Sequence, residues 1–214
     1  LLNGCVAHNQ LINYEDVAAG AAGIDNAVEL TIQPDDLLRI VVHSADPKAA
    51  APYNLEPAGQ QMMNMQQMGV GAGSTNGLEL FMGYFVDQDG YIDFPGVGKI
   101  QVGGLTIRKA KEKVLLAVQP YLRDAVVNMR FLNLKITVTG EVLRPGLLRL
   151  SNQRVTLLEA IGMAGDLSPY ANRENILLIR EKEGQREYIR LDLQDKEIFN
   201  SPYFYLQQND VIYV

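Results

Sequence analysis

The sequence predicts an α+β fold made of two small domains. Short stretches of alternating apolar and polar residues indicate strands, and two stretches with apolar residues every three or four positions indicate helices. Turns rich in Gly, Pro and Asp separate them. Each half of the chain has the same order of elements, namely strands, one amphipathic helix and further strands, which is typical of the α+β class. The 214 residues, 47% of them hydrophobic, are sufficient for two small cores.

The first predicted domain covers residues 29–132. Its predicted strands lie at 29–33, 37–42, 84–86, 91–94, 97–102 and 126–131. The strands at 84–86 and 91–94 flank a Gly-containing turn at 87–90, which predicts a hairpin. Thr106 can cap a helix that continues to about Gln119 and ends before Pro120. Residues 44–79, rich in Ala, Gly, Gln and Met, are predicted to form a long mobile insertion.

The second predicted domain covers residues 133–214 and begins with a strand. Ile136, Val138 and Val142 share one face of its alternating pattern. Gly140 interrupts that face, which indicates a bulge or a close approach of another backbone segment. The Arg-Pro-Gly-Leu sequence at 144–147 suits a type II turn into the next strand.

A short helix over residues 157–164 has clear signals at both ends. Thr156 and Glu159 have the spacing of a capping box, and Gly165 suits the left-handed position that follows a helix. The remaining predicted strands lie at 176–180, 188–193, 203–206 and 211–214, with turns at 181–184 and 207–210.

The charge and the distribution of apolar residues argue against general nucleic-acid binding and against a membrane-spanning helix. The net charge is −6 and the acidic residues are spread along the chain, so the sequence lacks the basic face of a general nucleic-acid-binding protein. No run of 18 apolar residues is present, so no segment of this sequence is predicted to span a bilayer as a helix.

Cys5 is the only cysteine, so no internal disulfide is possible. The residues before it, ending in the small Gly4, resemble the tail of a bacterial lipoprotein signal. Residues 1–4 are therefore predicted to be the end of a signal peptide, Cys5 to carry lipid, and residues 5–28 to form a polar tether. A buried free cysteine is the alternative.

No metal or cofactor site is predicted. Asp87, Asp89 and Asp93 do not fit a calcium loop, because glycine falls at position four instead of six and position twelve is not glutamate. The two histidines, His8 in the tether and His43 at a strand end, are too few for a histidine-rich metal site.

The remaining candidate sites have structural explanations. The glycines at 69–73 lack the lysine and hydroxyl residue of a phosphate-binding loop. The nearby methionines could form an adaptable surface for a partner, and otherwise belong to the mobile insertion. Three hydroxyl residues lack a neighbouring histidine base in sequence: Ser151, Thr156 and Ser168. Three consecutive aromatic residues could stack on sugar rings, although packing in a strand is favoured: Tyr203, Phe204 and Tyr205.

Two ordered sets of motifs carry a family resemblance. The first set comprises P-x-D-x-L-x-I at 34–40, D-x-D-G-x-I-x-F-P-x-x-G at 87–98 and G-L-T-x-x-x-A at 104–110. The second comprises G-E-V at 140–142, R-P-G at 144–146, T-L-L at 156–158, A-I at 160–161, A-G at 164–165 and N-D-V-I at 209–212. The first half resembles the polysaccharide export domain and the second a single SLBB domain, which is β-grasp-like. The chain is thus similar to the Wza-like family of outer-membrane polysaccharide export proteins.

This resemblance implies a function in transport. Family members are lipoproteins of the outer membrane that form ring oligomers with the folded body in the periplasm. They export capsular polysaccharide or exopolysaccharide together with an inner-membrane polysaccharide co-polymerase, often a tyrosine kinase. This sequence has one SLBB domain instead of several and reaches Val214 without an amphipathic C-terminal pore helix. Two explanations for the missing pore helix remain open: either the chain is truncated, or a separate protein forms the pore.

Two other functions compete with export. A stand-alone carbohydrate- or ligand-binding β-grasp lipoprotein would act as a monomer. An enzyme that trims the polymer would need two carboxylates facing one cleft, and the sequence marks out no such pair. We therefore expect a transport component and not an enzyme.

Overall fold

The computed structural model describes residues 29–55, 83–182 and 184–214. From residue 31 onward these fall into two compact units, 31–133 and 134–214. Both combine strands with a short helix, so the predicted α+β class is confirmed. Within the described ranges, no helix has the length and apolar character needed to cross a membrane.

The first unit contains a three-stranded antiparallel sheet, a two-stranded hairpin and two helices, the first of them a single turn. Its elements are β1 (Leu37–His43), α1 (Pro47–Ala50), β2 (Tyr84–Phe85), β3 (Tyr91–Phe94), β4 (Gly98–Gln101), α2 (Ile107–Val118) and β5 (Val126–Phe131). The sheet has the order β2-β1-β5, and β3 pairs with β4. The predicted cap of α2 is present, because Thr106 Oγ1 accepts the Lys109 N–H at 3.4 Å. Ala110, Val114 and Val118 of α2 are buried as the periodicity predicts.

Two predicted strand assignments in the first unit are wrong. Tyr84–Phe85 pairs with β1 and not with β3, whose hairpin partner is instead β4. The predicted strand at 29–33 reduces to a single bridge between Thr31 and Thr106. The turn that follows is closed by the buried Asp36 carboxylate, which accepts the Gln33 N–H at 2.8 Å, so the chain reverses instead of extending.

The start of the predicted mobile insertion is ordered. Residues 44–55 contain α1 and a 3-10 turn at Ala51–Tyr53, so the prediction is wrong for this part, and residues 56–79 lie outside the described ranges. The Asn54 side chain accepts the Val42 N–H at 2.7 Å and donates to the Val42 carbonyl at 2.8 Å. β2 pairs only with the first residues of β1, so these two bonds satisfy the backbone groups of Val42 that β2 does not reach. They also attach the segment to the sheet.

Polar side chains also hold this segment. The Asp124 carboxylate accepts the Ala45 N–H at 2.7 Å and the Ser44 hydroxyl at 3.0 Å, and these bonds lower the pKa of Asp124. The Tyr84 hydroxyl donates to the Tyr53 carbonyl at 3.2 Å, and burial raises the pKa of Tyr84 to about 12. The segment is therefore part of the first unit.

The second unit is a five-stranded mixed sheet with one helix on its inner face. Its elements are β6 (Lys135–Thr139), β7 (Gly146–Arg149), α3 (Leu157–Met163), β8 (Ile176–Lys182), β9 (Gln185–Leu191) and β10 (Val211–Tyr213). The order is β7-β6-β10-β8-β9, in which β10 runs parallel to β6 and antiparallel to β8. Leu157, Ala160 and Ile161 of α3 pack in one core with the inward side chains of the sheet. This arrangement is β-grasp-like, as predicted.

Both ends of α3 have the predicted geometry. Thr156 Oγ1 accepts the Glu159 N–H at 3.1 Å and Glu159 Oε2 accepts the Thr156 N–H at 2.7 Å, completing the capping box. At the other end, Gly165 has φ +85°, and the Asp166 N–H donates to the Ile161 carbonyl at 2.9 Å. These contacts satisfy polar groups that a short helix would otherwise leave unpaired.

Gly140 marks a close approach between backbones, one of the two alternatives predicted for it. Its φ is +90°, and a Cβ added there would lie 2.2 Å from the Val214 carbonyl oxygen. The Glu141 N–H donates to that same oxygen at 3.2 Å. Only glycine fits this position without displacing the backbone.

Three predicted details of the second unit are wrong. The predicted type II turn at 144–147 is absent, because Gly146 already belongs to β7 and pairs opposite Val138. Residues 203–206 form no strand and make a single bridge from Tyr205 to Thr156. The β8–β9 ladder extends to the pair of Lys182 and Gln185, so the turn is tighter than predicted.

Candidate interaction surfaces

Of the three carboxylates compared with a calcium loop, Asp87 organises a turn. Asp87 Oδ1 accepts the Tyr91 N–H at 2.7 Å and the Asp89 N–H at 3.1 Å, and Lys99 Nζ lies 3.6 Å from Asp87 Oδ2. The hydrogen bond from Tyr91 makes the largest contribution to lowering the pKa of Asp87. In the described residues, no cluster of three or more His, Cys, Asp or Glu side chains could hold a metal ion.

The hydroxyl candidates have structural partners. Ser168 Oγ donates to Glu141 Oε2 at 2.6 Å and accepts the Tyr170 N–H at 3.1 Å, while Thr156 caps α3. Ser151 and the exposed His43 are at surface positions in different units. The second unit, 134–214, holds all three hydroxyl residues and contains no histidine.

The three aromatic residues at 203–205 belong mainly to the core. Phe204 and Tyr205 are buried, and their rings meet edge to face at 5.4 Å. The Arg154 guanidinium lies 4.1 Å from the Tyr205 ring centre and donates to the Tyr205 hydroxyl. Burial on this scale rules out stacking of a sugar on Phe204 or Tyr205 in this conformation, in agreement with the packing interpretation.

An ion pair is buried next to these rings. Arg180 donates from Nε to Asp210 Oδ1 at 2.9 Å and from Nη2 to Asp210 Oδ2 at 2.6 Å. Arg180 Nη2 also donates to the Tyr205 carbonyl at 3.1 Å, and Asp210 Oδ2 accepts the Gln207 N–H at 2.7 Å. Burial raises the pKa of the Asp210 carboxyl, whereas the hydrogen bonds and charge of Arg180 oppose the rise. The network attaches the segment before β10 to β8.

The outer face of the five-stranded sheet carries a row of four apolar or aromatic side chains and one threonine. We define the sheet-face row as the five residues paired across all strands, Leu147, Thr137, Val211, Ile179 and Tyr188. Helix α3 packs on the opposite face, so this row faces outward. Leu147 and Tyr188 are 53% and 65% exposed, and neighbouring Tyr213 is 54% exposed. Several exposed apolar and aromatic side chains on one face are typical of a protein interaction site.

A separate groove of about 310 Å³ lies beside the loop between α3 and β8. Its walls are formed by residues 169–174 and Gln194. The groove contains an exposed aromatic ring, Tyr170, next to charged and amide side chains. Such a mixture of ring surface and hydrogen-bonding groups suits a small polar ligand.

Comparison with known families identifies both units. The model of the family described as polysaccharide biosynthesis/export protein matches residues 25–132, and that of the SLBB domain matches residues 134–214. The chain belongs to the polysaccharide biosynthesis/export protein family. Membership confirms the predicted family and supports a transport component over an enzyme.

Two curated relatives of this polysaccharide export chain have matching names. The chain is 34% identical over 89 residues to the EPS I polysaccharide export outer membrane protein EpsA of Ralstonia solanacearum. It is 31% identical over 98 residues to the protein of the same name from Ralstonia nicotianae. The matches cover 40% and 44% of this chain. The chain spans about a quarter of each relative's length, 24% and 26% respectively.

Neither the groove nor the sheet-face row of this member of the export family is predicted by the sequence. The row joins residues from five strands, and its members become neighbours only through strand pairing. The groove had one local signal, the Pro-Tyr-Ala-Asn-Arg-Glu run at 169–174, which places an aromatic residue among polar residues in a loop. Cys5, the predicted lipidation site, and His8 lie outside the described residues.

Proposed function

We propose that the chain is a periplasmic lipoprotein subunit of a translocon that exports capsular polysaccharide or exopolysaccharide. The observation that carries the proposal is the tandem match of an export domain and an SLBB domain over residues 25–132 and 134–214. The names of the two Ralstonia relatives, both polysaccharide export outer membrane proteins, support the same function. The mechanism is passive, because the subunit encloses a path for the polymer and breaks no bond.

The proposed arrangement places the anchor at the N-terminal side. Residues 1–4 are the end of a signal peptide, lipidated Cys5 anchors the chain in the outer membrane, and residues 5–28 are the tether. Residues 29–132 then form the export domain and 133–214 the SLBB domain. An inner-membrane polysaccharide co-polymerase is the proposed partner on the periplasmic side.

The proposed assembly is a homo-oligomeric ring. A ring uses heterologous interfaces, so each subunit must present two different, complementary surfaces. The sheet-face row is our candidate for one of them, because Leu147, Tyr188 and Tyr213 leave apolar area exposed around it. A second copy of the chain would cover that area.

Deletion of the gene in its native host tests the export function. We expect loss of surface polysaccharide and accumulation in the periplasm, both reversed by the wild-type gene. Normal surface polysaccharide without accumulation would refute the proposal. Mass spectrometry of the native N-terminus tests the anchor independently, and an unmodified Cys5 with residues 1–4 still attached would refute lipidation.

The ring interface is tested by placing a charge in the sheet-face row. Tyr188→Lys should reduce the oligomer recovered from membranes, measured by native mass spectrometry, because a buried unpaired charge opposes association. Tyr188→Phe is the matched control, since it keeps the ring and should assemble as wild type does. Equal assembly of both variants would exclude this face from the interface.

A further inference from the structure

The groove at residues 169–174 and Gln194 has the chemistry of a sugar-binding site. Its volume of about 310 Å³ lies at the lower end of the range for small-molecule sites, about 300–1,000 Å³. Tyr170, which lines it, is 83% exposed, so most of its ring surface is accessible. An accessible tyrosine ring offers a flat apolar surface on which the C–H face of a pyranose can stack.

The loop that carries the groove is held in place at both ends. At one end, Ser168 is bonded to Glu141, and its hydroxyl and carbonyl accept the N–H groups of Tyr170 and Ala171, both at 3.1 Å. At the other end, the Arg173 carbonyl accepts the Leu193 N–H at 2.8 Å. A loop fixed in this way loses little conformational entropy when a ligand binds.

The hydrogen-bonding capacity of Arg173 is largely unused. Its Nη1 makes one long hydrogen bond, 3.5 Å to the Ala171 carbonyl. Its Nε is buried and has no acceptor among the described residues. A guanidinium has five N–H donors, and a buried donor without an acceptor is unfavourable. Ligand oxygens in the groove would supply acceptors for the Nη groups of this guanidinium, whereas the buried Nε lies out of a ligand's reach in this conformation.

The charges in the groove favour a hydroxyl-rich ligand over a simple anion. Glu174 lines the groove next to Arg173 in sequence, so a carboxylate offsets the positive charge. Sugar hydroxyls can both donate to a carboxylate and accept from a guanidinium, whereas the carboxylate would repel an anionic phosphate.

We propose that this groove binds one pyranose residue of a glycan through the Tyr170 ring, with Arg173 and Glu174 holding its hydroxyls. The proposal rests on the export function in that the exported polymer is the natural source of such a residue. The groove would then give the polymer a weak contact on each subunit. Weak binding suits transport, because a tightly bound polymer would dissociate too slowly from each subunit to pass through.

Nuclear magnetic resonance titration of the full chain tests the groove. The probes are the methyl pyranosides of glucose, galactose, N-acetylglucosamine and glucuronic acid, with inorganic phosphate as the anion control. We expect at least one pyranoside to give saturable shifts of the amides at 170–174 and Gln194, with a Kd in the millimolar range. Absence of saturable shifts with all four pyranosides, or shifts with phosphate alone, would overturn the proposal.

Matched variants assign the contacts. Tyr170→Ala should weaken binding about tenfold, the order expected for loss of one aromatic contact, and Tyr170→Phe should preserve it. Glu174→Gln should weaken binding without altering the fold, because the side chain is exposed. Tyr121→Ala, which removes an exposed ring that does not line the groove, should bind as wild type does. Equal affinity of Tyr170→Ala and wild type would refute the stacking contact.

The experiments can refute the sugar-binding proposal and the export proposal independently of each other. Binding at the groove together with normal surface polysaccharide in the deletion strain would retain the groove and refute export. Loss of surface polysaccharide in the deletion strain without pyranoside binding would retain export and refute the groove.

Discussion

Replacing Asp210 with Ala should destabilise the second unit by about 3–5 kcal/mol, the cost of leaving one partner of a buried ion pair alone. The Arg180 and Asp210 side chains are only 4% and 0% exposed, so water cannot replace the lost partner without structural change. The variant removes both acceptors of the 2.9 Å and 2.6 Å bonds from Arg180. It also removes the acceptor of the Gln207 N–H. Because domains unfold with about 5–15 kcal/mol, this loss is a large share of the total.

The assay is urea unfolding of the whole chain, followed by the amide signals of β6 and β8 so that the second unit is recorded separately. Glu181→Ala is the matched control, because its partner Arg186 forms an exposed ion pair, with side chains 65% and 56% exposed. We expect that control to have little effect on stability, because water and salt screen an exposed ion pair. The double variant Arg180→Met with Asp210→Leu should recover most of the stability, since it leaves no buried charge. An Asp210→Ala variant no less stable than Glu181→Ala would refute the reasoning.

Three further predictions concern single positions. Gly184→Ala should lower the free energy of unfolding by about 1 kcal/mol, because of its positive φ alone. Gly140→Ala should lower it by about 2 kcal/mol more in the same urea assay, because its Cβ also meets the Val214 carbonyl oxygen. Equal losses would exclude the clash. Thr156→Ala should cost about 1 kcal/mol through loss of the helix cap, and Thr156→Ser should restore it; if Ser and Ala behave alike, the cap does not contribute. A pH titration by nuclear magnetic resonance should give Asp124 a pKa below the ordinary aspartate value. The stability from its hydrogen bonds is then complete above that ordinary value and is lost as the pH falls through the lowered folded pKa; an unshifted titration would contradict this.

Features set by neighbouring residues were predictable from the sequence. The capping box of Thr156 and Glu159 and the left-handed Gly165 depend on contacts within one helical turn, so their residue types and spacing are sufficient to predict them. The alternation in β6 likewise predicts that Ile136 and Val138 share the buried face. The choice of strand partner is different, because it is decided by long-range packing. Tyr84–Phe85 has the local pattern of a hairpin strand but adds to β1 instead.

Aromatic and apolar composition also misleads where a loop is buried. Residues 203–206 have the composition of a strand, yet Phe204 and Tyr205 fill the core from irregular backbone that bridges to Thr156. The candidate surfaces were missed for a related reason. In the groove, Gln194 lies beside residues 169–174, which come much earlier in the chain. No local sequence pattern predicts that these residues are neighbours in space.

The central position of β10 has a consequence for how the second unit folds during synthesis. The ribosome completes β6, β7, β8 and β9 before it makes residues 211–213, yet β10 is the only strand that joins the two hairpins within the described sheet. Until β10 inserts, each hairpin exposes an unpaired strand edge, and such edges can pair with other chains. Closing a sheet through pairs as distant as Thr137 and Val211 is also slow. The nascent second unit should therefore depend on protection from aggregation until its final strand is in place.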